Sequence, residues 1–199
     1  HFDSSAERSA RAWVLGANTA LPGDVRLSAA QRVSDEFHAR FKAFRRNYRY
    51  IIFNRSVASA VYRQLVTHEY RNINVPAMQS AAQCLVGEHD YSSFRASGCQ
   101  AHSPVRTVTQ LIVQTQGCWI WIDVIANAFL QHMVRNIAGV LLTIGAGEEP
   151  VDWARTVLEA KDRTKGGITA APEGLYLTRV EYPSEFGIDM EIPEPVQFW

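Results

Sequence analysis

Trp119–Gly145, WIWIDVIANAFLQHMVRNIAGVLLTIG, constrains this chain more than any other stretch. Trp119, Trp121, Asp123 and Ile125 alternate with Ile120, Ile122 and Val124. Period two with apolar residues on both faces predicts an interior strand. Asn127 is a suitable helix N-cap, since its side-chain oxygen can accept a free N–H of the first turn. Ala126, Phe129, Met133, Ile137, Val140 and Ile144 then recur at helical spacing, and Gly145 supplies a stop. Arg135 lies off that stripe, with Ala138 and Gly139 three and four residues on. The small residues let another chain or a ligand come close there. An unpaired buried charge costs on the order of several kcal/mol, so an arginine on so apolar a helix calls for an anionic partner.

The remaining elements alternate between helix and strand signals. Ser4 and Ser5 are positioned to cap a helix carrying Ala6, Ala10, Trp13, Val14 and Ala17. Leu21-Pro22-Gly23-Asp24 is a turn, and Val25–Val33 is a modest strand candidate. Within Asn47–Phe53, strand period puts Tyr48, Tyr50 and Ile52 on one face and Asn47, Arg49 and Ile51 on the other. Asn74–Gly87 reads as a helix, with Pro76 in its first turn. Arg106–Gln114 and Cys118–Ile125 form a strand pair turning near Gln116-Gly117. Pro150–Lys161 is a short helix, Thr164–Pro172 a flexible loop, and Leu175–Tyr182 a final strand. The acidic, Pro-rich tail after Pro183 is expected to lie over the surface.

The chain has as many acidic as basic residues, 20 of each, and its pI is about 7.2. Net charge therefore gives no support to nucleic-acid binding, but its distribution does. In Phe37–Tyr50, FHARFKAFRRNYRY, Arg40, Lys42, Arg45, Arg46 and Arg49 are interleaved with Phe37, Phe41, Phe44, Tyr48 and Tyr50. Cations neutralise phosphates and aromatic faces stack on unpaired bases, a composition suited to looped or single-stranded RNA. The same pattern also suits a solvated strand edge that uses charge against aggregation.

Other chemistries find little footing. The histidines form neither H-E-x-x-H nor a Cys/His cluster, so no metal is expected. Lys165-Gly166-Gly167 lacks the spacing of a phosphate loop, and no nucleophile elbow is present. Cys84, Cys99 and Cys118 contain no C-x-x-C pair, which favours reduced thiols and a cytoplasmic location. No apolar run is long enough to span a membrane.

His132–Asn136, HMVRN, preceded by Ala126-Asn127-Ala128-Phe129, resembles the arginine motif of the bacterial tRNA pseudouridine synthase A family. Further stretches similar to that family follow the same order. They are Leu21-Pro22-Gly23-Asp24, Phe37-His38-Ala39-Arg40-Phe41, Tyr48-Arg49-Tyr50, Ser93-Phe94-Arg95, Ala160-Lys161-Asp162-Arg163 and Glu173-Gly174-Leu175-Tyr176-Leu177. The family's Arg-Thr-Asp-x-Gly-Val-His loop, which carries its nucleophilic aspartate, is absent from these 199 residues.

The resemblance implies an α+β pseudouridine synthase fold. Its largely antiparallel sheet is flanked by helices, and its two similar subdomains would be a remnant at 1–36 and a second at 37–199. It implies isomerisation of uridine to pseudouridine at positions 38, 39 and 40 of the tRNA anticodon stem-loop, in a homodimer and without a cofactor. Arg135 would be the arginine that orients the aspartate. Tyr48 would pack on the base and take the C5 proton, and Leu175 would line the base pocket. Arg40, Lys42, Arg46, Arg49 and Arg95 are candidates for phosphate contact. A chain opening without Met, inside what reads as a strand, is expected to be an N-terminally truncated fragment, inactive alone for want of the aspartate. A non-catalytic RNA-binding module is the alternative.

Overall fold

A computed structural model of the chain describes residues 1–188. In chain order its elements are α1 (Ala10–Ala20), β1 (Arg45–Asn54), β2 (Thr67–Glu69), α2 (Val75–Ala82), β3 (Gly87–Asp90), β4 (Val105–Gln116), β5 (Trp119–Ala126), α3 (Met133–Gly145), α4 (Trp153–Ala160) and β6 (Leu175–Glu181). Two units separate: residues 1–44 with 181–188, and residues 45–180.

The larger unit is an open, largely antiparallel sheet in the order β2-β1-β5-β4-β3, with β6 also pairing β1. Only the β1–β2 pair among those with a printed register is parallel. Strand β5 is interior, as its two apolar faces require. It pairs β1 through Tyr48–Val124, Tyr50–Ile122 and Ile52–Ile120. Those residues form one face, and α2 and α3 cover it, with α4 packed against those two helices. Met78, Leu85, Leu111, Ile137, Leu141 and Val157, all essentially inaccessible, complete the core there. The other face carries Arg49, Ile51 and Phe53 from β1 opposite Asp123, Trp121 and Trp119 from β5. Phe53, Tyr62 and Trp119 pack ring against ring on it.

Several sequence expectations shift. Asn127 does not cap a helix. Its N–H donates to the Thr107 carbonyl, and its side-chain oxygen accepts from Thr107 N, so it extends the β4–β5 ladder instead. The central helix begins six residues later, after His132 takes a left-handed backbone conformation at φ 62°. The first helix starts at Ala10 with Ser9, not Ser4 or Ser5, as its cap. Val25–Val33 forms no strand; the Asn18 side chain takes both backbone groups of Leu27 that a ladder would use. Strands β2 and β3, of three and four residues, are too short to carry a period. Asn74 does cap α2, accepting from Ala77 N, but the helix tightens to a 3-10 turn at Gln83–Leu85.

The smaller unit holds the front of the basic stretch. There Phe37 meets Tyr182 and Phe186 edge to face, and the Tyr182 hydroxyl donates to the Ala39 carbonyl. The start of the expected surface tail is thus partly buried at Phe186; residues 189–199 lie outside the described residues.

Candidate active site

Arg135 sits in the first turn of α3, and the chain segment 163–175 crosses the helix there. The two are joined reciprocally: Ala170 N donates to the Arg135 carbonyl at 3.2 Å, and Arg135 Nε donates to the Ala170 carbonyl at 2.7 Å. Gly139, one turn along, permits the crossing. A Cβ on it would stand 1.9 Å from the Ile168 carbonyl oxygen, far inside contact distance. The close approach expected beside Ala138 and Gly139 is therefore made by the chain itself. Arg135 is half-buried and makes no ion pair among the described residues. With Nε held, its two Nη groups present a planar fork suited to a carboxylate.

The crossing segment is far from the flexible loop that its glycines suggest. The Tyr50 hydroxyl, fully buried, donates to the Ala171 carbonyl at 2.8 Å and shares a 2.5 Å hydrogen bond with Thr67 Oγ1. Thr67 Oγ1 reaches the Glu173 carbonyl at 2.6 Å, and Ile51 N donates to the Gly174 carbonyl at 2.8 Å. Burial pushes the Tyr50 phenol up to about 12; its hydrogen bond to Thr67 and the positive charge of Arg135 work the other way. Arg135 Nε bonds Ala170 and the Tyr50 hydroxyl bonds Ala171, so two consecutive residues of the segment tie α3 to the core face of β1.

Tyr48 lies two residues before Tyr50 on the same face, roughly 7 Å along the strand. Its ring meets Phe129 edge to face, with centroids 4.9 Å apart and planes at 82°. Tyr48, Phe129 and Leu175 are all half-buried against the same core. The Tyr48 hydroxyl has no hydrogen-bond partner among the described residues. Arg135, Tyr48 and Leu175 are thus drawn to one neighbourhood by α3, β1 and the segment leading into β6.

The basic candidates divide. Arg46 donates to the Asn127 carbonyl at 2.8 Å, at the entrance to the Phe129 loop. Arg95 is half-buried and donates to the Cys99 carbonyl at 2.8 Å, in a loop tied by Ala96 N to the Gln131 carbonyl. Arg49 does not join them. It lies on the opposite face of the sheet, where its Nε and Nη2 hold both oxygens of Asp123 at 2.7 and 2.9 Å. Strand alternation sends it away from Tyr48, and the register sets it directly across from Asp123. Arg40 and Lys42 belong to the smaller unit, where Arg40 lies over the Phe41 ring and Lys42 near Phe186.

Sequence reasoning quotes Asn136 and Arg163 within family-like stretches but gives neither of them, nor Thr169, a role. Asn136 is 2% exposed on an apolar helix, and its Nδ2 donates to the Phe94 carbonyl at 2.7 Å. Its Oδ1 accepts from Thr169 Oγ1 at 2.6 Å and from Arg163 Nη2 at 3.2 Å. A polar residue beside Arg135 on a buried helix face was the available signal. Among the described residues no group of three or more His, Cys, Asp or Glu side chains is placed to hold a metal ion.

The open, largely antiparallel sheet flanked by helices is that of a pseudouridine synthase fold. A family model described as tRNA pseudouridine synthase matches residues 81–183. The tRNA pseudouridine synthase A of Pseudomonas aeruginosa is 52% identical over 194 residues, 98% of this chain and 67% of that protein. The protein of the same name from Nitrosococcus oceani is 52% identical over all 199 residues, 76% of its length, and that of Legionella pneumophila 47% over the same span. The chain belongs to the tRNA pseudouridine synthase A family, and with it to the isomerases.

Proposed function

We propose that this chain supplies the arginine, the tyrosine and most of the base pocket of a synthase that isomerises uridine at positions 38, 39 and 40 of the tRNA anticodon stem-loop. The carrying observation is the Arg135 fork, fastened through Nε to Ala170 and free at both Nη groups on the Tyr48 side of the sheet. A carboxylate set against that fork stays ionised and oriented. The nucleophilic aspartate is not among these 199 residues, because no Arg-Thr-Asp loop occurs in them. It attacks the nucleoside; uracil leaves C1′ through N1, turns, and rejoins through C5, and the bond to the aspartate breaks again. Nothing is added or removed overall, so no cofactor enters.

Tyr48 packs on the flipped base, backed edge-on by Phe129, and its phenolic oxygen relays the C5 proton, taking it up as its own proton passes on, while N1 of the uracil gains one overall. Leu175 closes the pocket. Extrusion of the base costs on the order of a few kcal/mol, which stacking of this kind offsets. Arg40, Lys42, Arg46 and Arg95 contact tRNA phosphates. Arg49 is left out of this set, since Asp123 holds it on the other face. Residues 1–36 are the remnant of the family's first subdomain and 37–199 its second. The working enzyme is a cytoplasmic homodimer, and the chain alone is inactive.

The test is tritium release from tRNA labelled at uracil C5, together with mapping of the modified positions. Modification confined to 38–40 is the expected result. Release from other positions only would overturn the anticodon assignment. Salt-sensitive tRNA binding without release by any form of the chain would favour a non-catalytic RNA-binding module.

A further inference from the structure

We propose that Thr169, Asn136 and Arg163 are positioning residues for Arg135, acting through the Ala170 carbonyl. The proposal rests on the reading of Arg135 as the group that orients the nucleophile. The three side chains close a triangle. The Thr169 hydroxyl accepts from Arg163 Nη2 at 2.8 Å and donates to Asn136 Oδ1 at 2.6 Å, while the same Nη2 reaches that Oδ1 at 3.2 Å. Asn136 Nδ2 anchors the triangle to the Phe94 carbonyl, and Arg163 Nη1 anchors it to the Gly167 carbonyl at 3.0 Å.

The Thr169 hydroxyl both donates and accepts, and both polar atoms of the Asn136 amide have partners, as a buried polar network requires. Its consequence lies one residue further on. Thr169 is fixed against α3 on the N-terminal side of Ala170, and the Tyr50 hydroxyl fixes Ala171 on the other. The Ala170 carbonyl is therefore held from both sides at the one atom that bonds Arg135 Nε. A guanidinium anchored at Nε has its plane set, so both Nη groups point one way. Arg163 is thus a second arginine in the site's service that never faces the substrate. Asn136 follows Arg135 directly in the chain, so α3 itself links the triangle to the residue it positions.

Thr169→Val removes the hydroxyl and keeps the shape, and Thr169→Ser keeps the hydroxyl. Both are to be made in the enzyme that carries the Arg-Thr-Asp loop, with kcat, KM for tRNA and melting temperature measured on each. A misplaced catalytic group costs about a hundredfold for roughly 1 Å. Thr169→Val should lose kcat about tenfold to a hundredfold, with KM and melting temperature near those of the unsubstituted enzyme, and Thr169→Ser should restore kcat. Arg163→Lys, whose single ammonium cannot span the same acceptors, should show the same split.

Unchanged kcat in Thr169→Val overturns the proposal. So does a loss of kcat that tracks loss of folded protein across the variants, which would make the triangle a structural fastening only. If the unsubstituted enzyme releases no tritium, the underlying reading of Arg135 fails instead.

Discussion

Arg135 and Ala170, thirty-five positions apart, hold each other by two hydrogen bonds: backbone to backbone at 3.2 Å and Nε to carbonyl at 2.7 Å. The pair turns a half-buried charge into an oriented one. Arg135→Ala should abolish turnover, by about a thousandfold or more, because an electrostatic partner aimed at the reacting centre is lost. Arg135→Lys should be nearly as poor, since an ammonium cannot bond Ala170 and also grip both oxygens of a carboxylate. tRNA binding, measured by filter retention, should change little in either. Near-normal rates in Arg135→Ala would remove it from the mechanism.

Tyr48 meets Phe129 through its ring, while its hydroxyl has no partner among the described residues. Tyr48→Phe keeps the ring pair and removes only the hydroxyl. The rate should therefore fall far more than tRNA affinity, and the melting temperature should hold. An affinity that collapses in step with the rate would make Tyr48 a binding residue only.

Gly139 illustrates a helix position where propensity misleads. Alanine is about 1 kcal/mol better than glycine inside a helix. Here the added Cβ would meet a backbone carbonyl at 1.9 Å, which no side-chain rotation relieves. Gly139→Ala should melt several degrees lower and lose activity as segment 163–175 lifts from Arg135. Higher thermal stability with full activity would contradict the close crossing.

Tyr50 provides a pH signature. Its phenol is raised from an ordinary value near 10 to about 12 by burial. In the unfolded chain it ionises near pH 10, while in the folded chain it stays protonated. Its contribution to stability is thus fully present below about pH 10 and is lost as pH rises toward 12. Tyr50→Phe should flatten the fall in melting temperature over that interval. An equally steep fall in both proteins would show that Tyr50 is not held neutral by burial.

Much of this arrangement is legible in the sequence because it is periodic. Alternation in Trp119–Ile125 marked β5 as interior, and alternation in Asn47–Phe53 put Tyr48 with Tyr50 and Arg49 on the other side. The same period already separated Arg49 from the tyrosines, yet composition alone grouped it with the phosphate-binding candidates. What was not legible depends on partners distant in the chain. Asn127 looks like a helix cap until Thr107 is beside it. Thr164–Pro172 looks loose because its fasteners, Asn136, Tyr50 and Thr67, belong to other elements. Arg135 and Tyr48 came from the motif resemblance; their common neighbourhood came from the fold.

The most direct test compares tritium release from uracil C5 in tRNA by this chain and by a chain that also carries the Arg-Thr-Asp loop. Release by the longer chain alone is predicted, and Arg135→Ala in that chain should abolish it. Release by the 199 residues unaided, or undiminished release by the Arg135→Ala chain, would contradict a mechanism in which Arg135 orients an aspartate supplied from outside them.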